Sequence, residues 1–520
     1  MRPDATIANA LWTASNLPAY LRFIRALRNP ASTQLRKLFA FVAENAGTDF
    51  GKAHKFETIQ SYEDYKNRVP ISDYADFEPW IARIQGGAQN VLTIARVTHL
   101  IPTSGSTGGR KLIPFTARLQ GEFNAAIGPW LVDLARQFPG IIGGPAYWSV
   151  SPALENIKTE SSAVPIGFDA DTAYLGGKRR RLAEAVMAMP PSVSRAQSLD
   201  SFRYHTLLHL LRCRDLRLIS VWHPSFLTLL LDALPEFWDR LLQDIASGTN
   251  STSSLPSRAR ELRLADPSRP ETLWPFLQVI SCWGGAAATL SLEDIRWRFP
   301  NTYLQPKGLL ATEAFVTLPF QNRYPLATTS HFFEFLDEHD KAHTVENLHA
   351  GNEYEVLVTN GGGLWRYRLR DRIRVTGFLQ KTPTLEFIGR GESTSDRFGE
   401  KLTEAFISEV LAELFRQKQP RFAVLAPDDC KEGCRYTLYI EGEALPDWPT
   451  ALERALHRNP HYAYCREIGQ LLPAGLYHIE RNGYESFIRQ RSLQGAPTRR
   501  YQTDDSRAHD RLVKYFQRRV

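Results

Sequence analysis

The stretch Thr103-Ser-Gly-Ser-Thr-Gly-Gly-Arg-Lys111 constrains this chain more than any other. Nine residues carry four hydroxyls, three glycines and a lysine, directly after the apolar run Val97-Thr-His-Leu-Ile101. Glycines let a backbone turn tightly and bring N–H groups close to an anion. The hydroxyls supply further donors, and Lys111 supplies a point charge suited to phosphate. A Walker A loop is excluded, because Arg110 separates Gly109 from Lys111 and Leu112 follows in place of Ser or Thr. Beyond the loop, Leu119, Phe123, Ile127, Leu131 and Leu134 recur at helical spacing, with Thr116 as the candidate N-cap. Strand, anion-type loop and helix together form a recurring phosphate holder. A flexible Ser/Gly surface loop has the same composition, so the segment alone leaves both readings open.

The 520 residues exceed the roughly 250–300 at which a single core stops growing, so two or more domains are expected. Residues 5–47 read as helical from the spacing of Leu35, Leu38, Phe39 and Val42. Helices and strands then alternate to about residue 320, the pattern of an α/β sheet covered by helices. Gly248–Ser254 is a polar insertion between helices. From Tyr354 the pattern turns to short strands: Tyr354–Thr359, a Gly361-Gly-Gly363 turn, Leu364–Leu369, Ile373–Leu379 and Leu385–Ile388, an antiparallel meander. Helical spacing resumes at Leu402, Phe406, Val410, Leu411 and Leu414. The expected fold class is α/β: a large N-terminal domain over 1–389 with helix-covered sheets and a small β-meander, then a smaller α+β domain over 392–520, hinged about 389–392.

The net charge of +7 resides largely in local runs such as Lys178-Arg-Arg-Arg181, without a nucleic-acid recognition motif. Five cysteines, an odd number, give neither a disulfide framework nor a zinc pattern, and Cys430 and Cys434 flank an expected surface turn. The N-terminus lacks the basic-then-apolar order of a signal peptide, and no run approaches the ~20 apolar residues of a membrane span. A cytoplasmic enzyme with small-molecule partners, no nucleic acid or membrane partner, and a monomeric or weakly oligomeric state is expected.

Four later segments join the loop. Ser281-Cys-Trp-Gly-Gly-Ala286 follows the apolar strand Leu277–Ile280, and its glycines let a flat ring lie against backbone. Leu309-Leu-Ala-Thr-Glu-Ala314 sets a hydroxyl beside a carboxylate. Trp365-Arg-Tyr-Arg-Leu-Arg-Asp371 ends a basic strand with one acid, and Phe387-Ile-Gly-Arg-Gly391 leads to Gly399-Glu-Lys-Leu402. In this order the set resembles the superfamily of acyl-CoA synthetases, peptide-synthetase adenylation domains and luciferases. It is most similar to the auxin-responsive acyl acid–amido synthetase family. The family's Ser/Thr-Gly loop, Thr-Glu motif and Tyr-Arg-x-Gly-Asp read here as Thr103–Gly109, Thr312-Glu313 and Tyr367-Arg-Leu-Arg-Asp371. The likeness runs from about residue 35 to the end and includes Val69-Pro-Ile-Ser-Asp-Tyr74, Pro165-Ile-Gly-Phe168 and Asn459-Pro-His-Tyr462.

The resemblance implies an ATP- and Mg²⁺-dependent ligase that adenylates a carboxylic acid and passes the acyl group to an amino acid amine. By that resemblance Ser104, Ser106, Thr107, Gly108 and Lys111 hold the outer phosphates. Gly284 and Gly285 border adenine, Thr312 touches the α-phosphate, Glu313 holds Mg²⁺, Asp371 binds the ribose, and Arg390 lies at the hinge beside it. Lys401 becomes a cation delivered by the mobile lid. Three of these have a plainer alternative. Asp371 could pair with Arg368, Arg370 or Arg372, Glu313 with Lys307, and Lys401 with Glu400 or Glu404. An acyl-CoA ligase, or a degenerate adenylation fold used for binding, shares most of these motifs.

Two positions depart from the family. Its glycine before the ribose-binding acid is Arg370, which costs about 1–2 kcal/mol if φ there must be positive. Near the C-terminus, Gly495-Ala-Pro-Thr-Arg-Arg-Tyr501 aligns with a family segment whose following lysine is Gln502, and a neutral amide does not replace a cation. For the acid itself the chain offers Tyr147, Trp148, Trp222 and His223 as pocket candidates, and an aromatic or other hydrophobic acid is expected from the family. His223, before Pro224, also reads as a structural histidine.

Overall fold

The computed structural model describes residues 3–104, 110–149, 162–167, 182, 185–196, 198–249, 252–284, 289–390, 394–395, 398, 400, 402–430, 433–467 and 469–479. The expected N-terminal helix is two helices, Pro3–Arg28 and Pro30–Asn45. The break follows from chemistry at Asn29, whose side chain caps Ser32, while Pro30 carries no N–H to continue the first helix.

An antiparallel pair, β1 (Val97–Ser104) and β2 (Arg110–Thr116), flanks the glycine-rich segment, with Ser104 opposite Arg110; residues 105–109 themselves lie outside the described residues. The helix Ala117–Gln137 starts only after β2, so the expected strand–loop–helix unit has an extra strand inside it. Its cap is the expected one: Thr116 Oγ1 accepts from the Leu119 N–H at 3.0 Å.

The alternating middle segment builds a four-stranded parallel sheet in the order β3 (Ala146–Trp148), β4 (Leu218–Ser220), β5 (Val279–Trp283), β6 (Tyr303–Lys307). Ile219, Ile280 and Cys282 point into a core shared with helices Leu199–Arg212, Pro224–Asp232 and Leu234–Ser247. Leu218 and Val279 face Leu134 of the helix Ala117–Gln137. Both faces are covered, which is why the strands read as short apolar runs.

The meander has five strands in the order β11–β10–β9–β7–β8: β7 (Phe332–Leu336), β8 (Ala342–His343), β9 (Glu353–Thr359), β10 (Tyr367–Leu379) and β11 (Thr382–Arg390). Two expected strands, Leu364–Leu369 and Ile373–Leu379, are one strand in the structure. Its register with β9 shifts between Arg368 and Arg372, and Arg370 takes φ 62° in that irregularity. The local break in pattern is therefore a bulge within one strand.

Further along lie the short pair β12 (Thr394–Ser395) and β13 (Leu402–Thr403), then the sheet β14 (Phe422–Cys430), β15 (Gly433–Glu441) and β16 (Gly475–Ile479). The surface turn expected through Asp428-Asp429 and Gly433 is paired strand instead, with Asp428 opposite Arg435 and Asp429 opposite the buried Cys434. Leu402, Val410, Tyr436, Leu438, Trp448 and Tyr462 form a core of their own there. Among the described residues no helix is long and apolar enough to cross a membrane.

Candidate active site

Two sequence-predicted places, the hairpin that carries Lys111 and the strand that carries Asp371, are tied together by the segment Ser72-Asp73-Tyr74. Ser72 pairs with Tyr367 of β10: its N–H donates to the Arg366 carbonyl at 3.1 Å, and its own carbonyl accepts from the Arg368 N–H at 3.0 Å. Asp73 takes both arms of the Arg370 guanidinium, at 3.0 and 2.6 Å. Tyr74 reaches the hairpin instead. Its hydroxyl accepts from the Leu112 N–H at 2.8 Å, and the Lys111 ammonium lies 5.8 Å from its ring centroid. Burial raises the Tyr74 phenol pKa, which keeps it a neutral hydroxyl. One short segment thus fixes Lys111 relative to the strand that carries Asp371.

Asp371 is 2% exposed and sits opposite Arg390 in the β10–β11 register. Its three neighbouring arginines are each engaged by another carboxylate: Arg368 by Glu355, Arg370 by Asp73, and Arg372 by Glu353. Arg370 adopts the left-handed φ that favours glycine, so the substitution is accommodated with backbone strain and a bidentate ion pair.

Thr312 and Glu313 lie in a reversal after β6. Gly308 starts it, where a Cβ would sit 2.0 Å from the Thr317 carbonyl oxygen. The Leu309 N–H donates to Thr317 Oγ1 at 2.8 Å, and the Ala311 N–H to the Ala314 carbonyl at 2.9 Å. Glu313 is 6% exposed. Lys307, its alternative partner, instead donates to Ser220 Oγ at 2.6 Å.

A buried network that sequence reading missed holds this reversal against the three-glycine turn. Asn360 donates through Nδ2 to the Glu313 carbonyl at 2.8 Å, and its Oδ1 accepts from the Gly362 and Leu364 N–H groups at 2.9 and 3.2 Å. Gly361 donates to Glu122 Oε2 at 3.0 Å, and its carbonyl accepts from Thr116 Oγ1 at 2.9 Å. Space there demands glycine: a Cβ on Gly361 would meet Arg118 Cγ at 2.3 Å. His331 completes the set. Its Nε2 accepts from the Phe315 N–H at 3.0 Å, so Nδ1 carries the proton and donates to Glu122 at 2.8 Å. Burial lowers the His331 pKa, favouring the neutral ring.

The third element is the carboxyl edge of the parallel sheet. Gly284 follows β5, and a Cβ there would lie 2.5 Å from Pro306 Cβ. Trp283 contacts Phe387 of β11 edge-on at 5.4 Å between centroids, joining this edge to the strand that ends at Arg390. Leu100, Ile113, Leu309, Ala314, Tyr367 and Leu369, neighbours of the three motifs, pack in one core. Ser104 ends β1 and Arg390 ends β11. Ser106, Thr107, Gly108, Gly285 and Lys401 lie outside the described residues, as does Gln502. Of the pocket candidates, Trp148 and Trp222 stand at the sheet edge around Lys307, whereas Tyr147 is fully buried in the helix-covered core.

Comparison with known proteins adds the family context. Residues 19–304 match the model of the GH3 family N-terminal domain, and residues 324–390 that of the GH3 family central domain. The indole-3-acetic acid-amido synthetase GH3.4 of Arabidopsis thaliana is 24% identical over 476 residues, covering 82% of this chain and 77% of that protein. The jasmonoyl-L-amino acid synthetase JAR4 of Nicotiana attenuata is 23% identical over 412 residues, 70% of each chain. Among solved structures, the AtGH3.15 acyl acid amido synthetase in complex with 2,4-DB superposes with a TM-score of 0.83 at 18% identity, covering 95% of both chains. A 2-hydroxyisobutyryl-CoA ligase in the postadenylation state gives a TM-score of 0.50 at 13% identity, covering 97% of this chain and 92% of that one.

Proposed function

Because the chain belongs to the GH3 family, we propose that it is an ATP-dependent acyl acid–amido synthetase that works in two steps. A carboxylate oxygen of the acid attacks the α-phosphorus of ATP, the Pα–O–Pβ bond breaks, and pyrophosphate leaves with the bonding pair. The amine of an amino acid then attacks the acyl carbon of the acyl-adenylate, loses a proton, and AMP departs. A carboxylate alone is a poor acyl donor, so adenylation supplies the leaving group. The protein's part is positioning and charge stabilisation.

Lys111, with Ser104, Ser106, Thr107 and Gly108, holds the outer phosphates. Gly284 and Gly285 leave room for the adenine plane, and a Cβ on Gly284 would lie 2.5 Å from Pro306 Cβ, which supports a wall that no side chain can thicken. Thr312 binds the α-phosphate, Asp371 accepts from the ribose hydroxyls, and Arg390 sits at the hinge beside them. For a divalent cation the donor set fits: Glu313 offers one carboxylate beside substrate phosphates, which is how Mg²⁺ is commonly held. Mg²⁺ bound there would neutralise charge on the departing pyrophosphate. Residues 1–389 act as the adenylation domain. Residues 392–520 act as a lid that turns about 389–392 to deliver Lys401, a reading supported by the separate core after Leu402.

The observation that carries this reading is the Ser72-Asp73-Tyr74 bridge, which fixes the phosphate hairpin and the Asp371 strand in one frame. A hydroxylamine-trapped screen of carboxylic acids with ATP tests it, followed by the active acid with amino acids or CoA. Hydroxamate and then amide is the expected result. Thioester in place of amide would make the chain an acyl-CoA ligase. ATP binding without hydroxamate from any acid would leave a degenerate fold used for binding.

A further inference from the structure

The helix Pro3–Arg28 is apolar on both faces. Its inner face places Trp12, Tyr20, Phe23 and Leu27 in one core with Phe123 and Phe320. The helix Ala117–Gln137 comes so close that a Cβ on Gly128 would lie 2.9 Å from Ala19 Cβ. Asn9 ties the helix down as well, donating through Nδ2 to the Ile142 and Gly144 carbonyls at 3.2 and 2.8 Å. The outer face carries Ile7, Leu11, Leu17 and Leu21, which are 60%, 56%, 45% and 50% exposed. Ala10 and Ala14 are exposed between them, and no charged residue falls between Asp4 and Arg22.

A surface helix ordinarily turns charged residues outward, and one that is apolar all round belongs under a partner. Single exposed leucines carry no such meaning, but a continuous stripe on one helix does. At about 3.6 residues per turn, Ile7 and Leu21 lie within about 20° of Ala14 around the helix axis, and Leu11 and Leu17 within about 60° on opposite sides. Ile7 and Leu21 each stand seven residues from Ala14, and Leu11 and Leu17 three, so the stripe is symmetric about Ala14. Such a stripe complements itself when a second copy is laid across it antiparallel. The charges obey the same symmetry. Asp4 and Arg22 both lie about 80° to one side of Ala14, and a two-fold axis through Ala14 keeps that side. Asp4 of each copy then falls between Arg22 and Arg25 of the other, and all three residues are exposed. A helix that meets a lipid surface spreads Lys and Arg along its polar side, whereas here the basic residues stand at one end and an acid at the other.

We infer that this face is an interface between two copies of the chain, related by a two-fold axis at Ala14 that sets the two helices antiparallel. Ile7 meets Leu21 of the second copy, and Leu11 and Leu17 pack around the alanines. Small residues at the crossing, Ala10 and Ala14, let the helices approach closely. The interface is isologous, so it closes at two copies instead of growing into a filament. One helix pair lies at the small end of specific interfaces, which makes the dimer weak, with Kd on the order of micromolar. The inference stands apart from the adenylation reading, because this helix carries none of the residues proposed to hold ATP.

Sedimentation velocity of the full chain from about 1 to 200 μM, a range that brackets such a Kd, should show monomer passing into dimer. Leu11→Glu, at an exposed position, should raise Kd about tenfold or more with an unchanged melting temperature. Asp4→Arg should also weaken the dimer, and adding Arg22→Asp and Arg25→Asp to the same chain should restore it. Cysteines read the geometry, with wild type as the control for native thiols. Ala14→Cys should link two copies by a disulfide under mild oxidation, because a residue on the axis meets itself. Ile7→Cys should link to Leu21→Cys in a mixture and not to itself. A chain that stays monomeric throughout, a dimer that Leu11→Glu leaves intact, a dimer in which Ala14→Cys does not link, or Ile7→Cys linking to itself would each overturn the inference. A monomer that floats with anionic vesicles would overturn it as well and give the face to lipid.

Discussion

Arg370 offers a direct reading of backbone strain, because two substitutions there lose the same contact and differ only in backbone tolerance. The residue holds φ 62° and pairs with Asp73, the two side chains being 27% and 43% exposed. Removing that partly solvated pair costs about 0.5–1 kcal/mol. Arg370→Ala pays this loss and keeps the strain of a left-handed residue with a Cβ. Arg370→Gly suffers the same loss but relieves about 1–2 kcal/mol of strain, offset by about 0.5–1 kcal/mol of extra backbone entropy lost on folding. The glycine variant should therefore be the more stable of the two by roughly 0.5–1 kcal/mol, the reverse of the ordinary Gly–Ala order. Urea midpoints of the purified variants, followed by tryptophan fluorescence in one buffer, give the order without requiring a two-state fit. An alanine variant as stable as the glycine variant, or more so, would refute the left-handed assignment and with it the bulge inside β10.

Three further outcomes follow from the site. Asp371→Asn and Glu313→Gln should each lower adenylation by about 10²-fold or more, read as pyrophosphate exchange, with thermal midpoints close to wild type. Gly284→Ala should weaken ATP binding and cost about 1–3 kcal/mol from overpacking, since its methyl would lie 2.5 Å from Pro306 Cβ; isothermal titration with ATP and a melting curve check both. Burial holds the His331 pKa below its ordinary value of 6.5. Its contribution to stability is therefore full above 6.5 and is lost as pH falls through the folded-state value, because the unfolded chain takes up the proton first. Melting temperature against pH should slope downwards below about pH 6.5, and the slope should flatten in His331→Gln.

The motifs proposed to carry chemistry were legible because each is local. A hydroxyl-and-glycine run, a Thr-Glu pair and a basic strand ending in Asp371 announce themselves within a few residues. The Thr116 cap was equally local, and the helix after it followed from spacing. What the sequence hid depends on distant partners. Strand β2 contains Pro114 and runs straight into a helix, so nothing in its own seven residues separated it from the loop. The Leu364–Leu379 stretch looked like two strands because Asp371, between Arg370 and Arg372, interrupts the apolar alternation, and only pairing with β9 and β11 makes Tyr367–Leu379 one. Glu122 and His331 meet across 209 residues, and Glu122 and Gly361 across 239, with no periodicity to signal either contact. Lys307 was weighed as a partner for Glu313 because the two are close in sequence, whereas packing sends it across β5 to Ser220, 87 residues away.

The most direct measurement is isotope transfer. The acid that scores in the hydroxamate screen is prepared with both carboxylate oxygens as ¹⁸O and incubated with ATP, Mg²⁺ and an amino acid acceptor. Attack of the carboxylate on the α-phosphorus predicts one ¹⁸O in each AMP released and one retained in the amide. Label in inorganic phosphate with ADP as the nucleotide product, or unlabelled AMP beside a formed amide, would contradict the account.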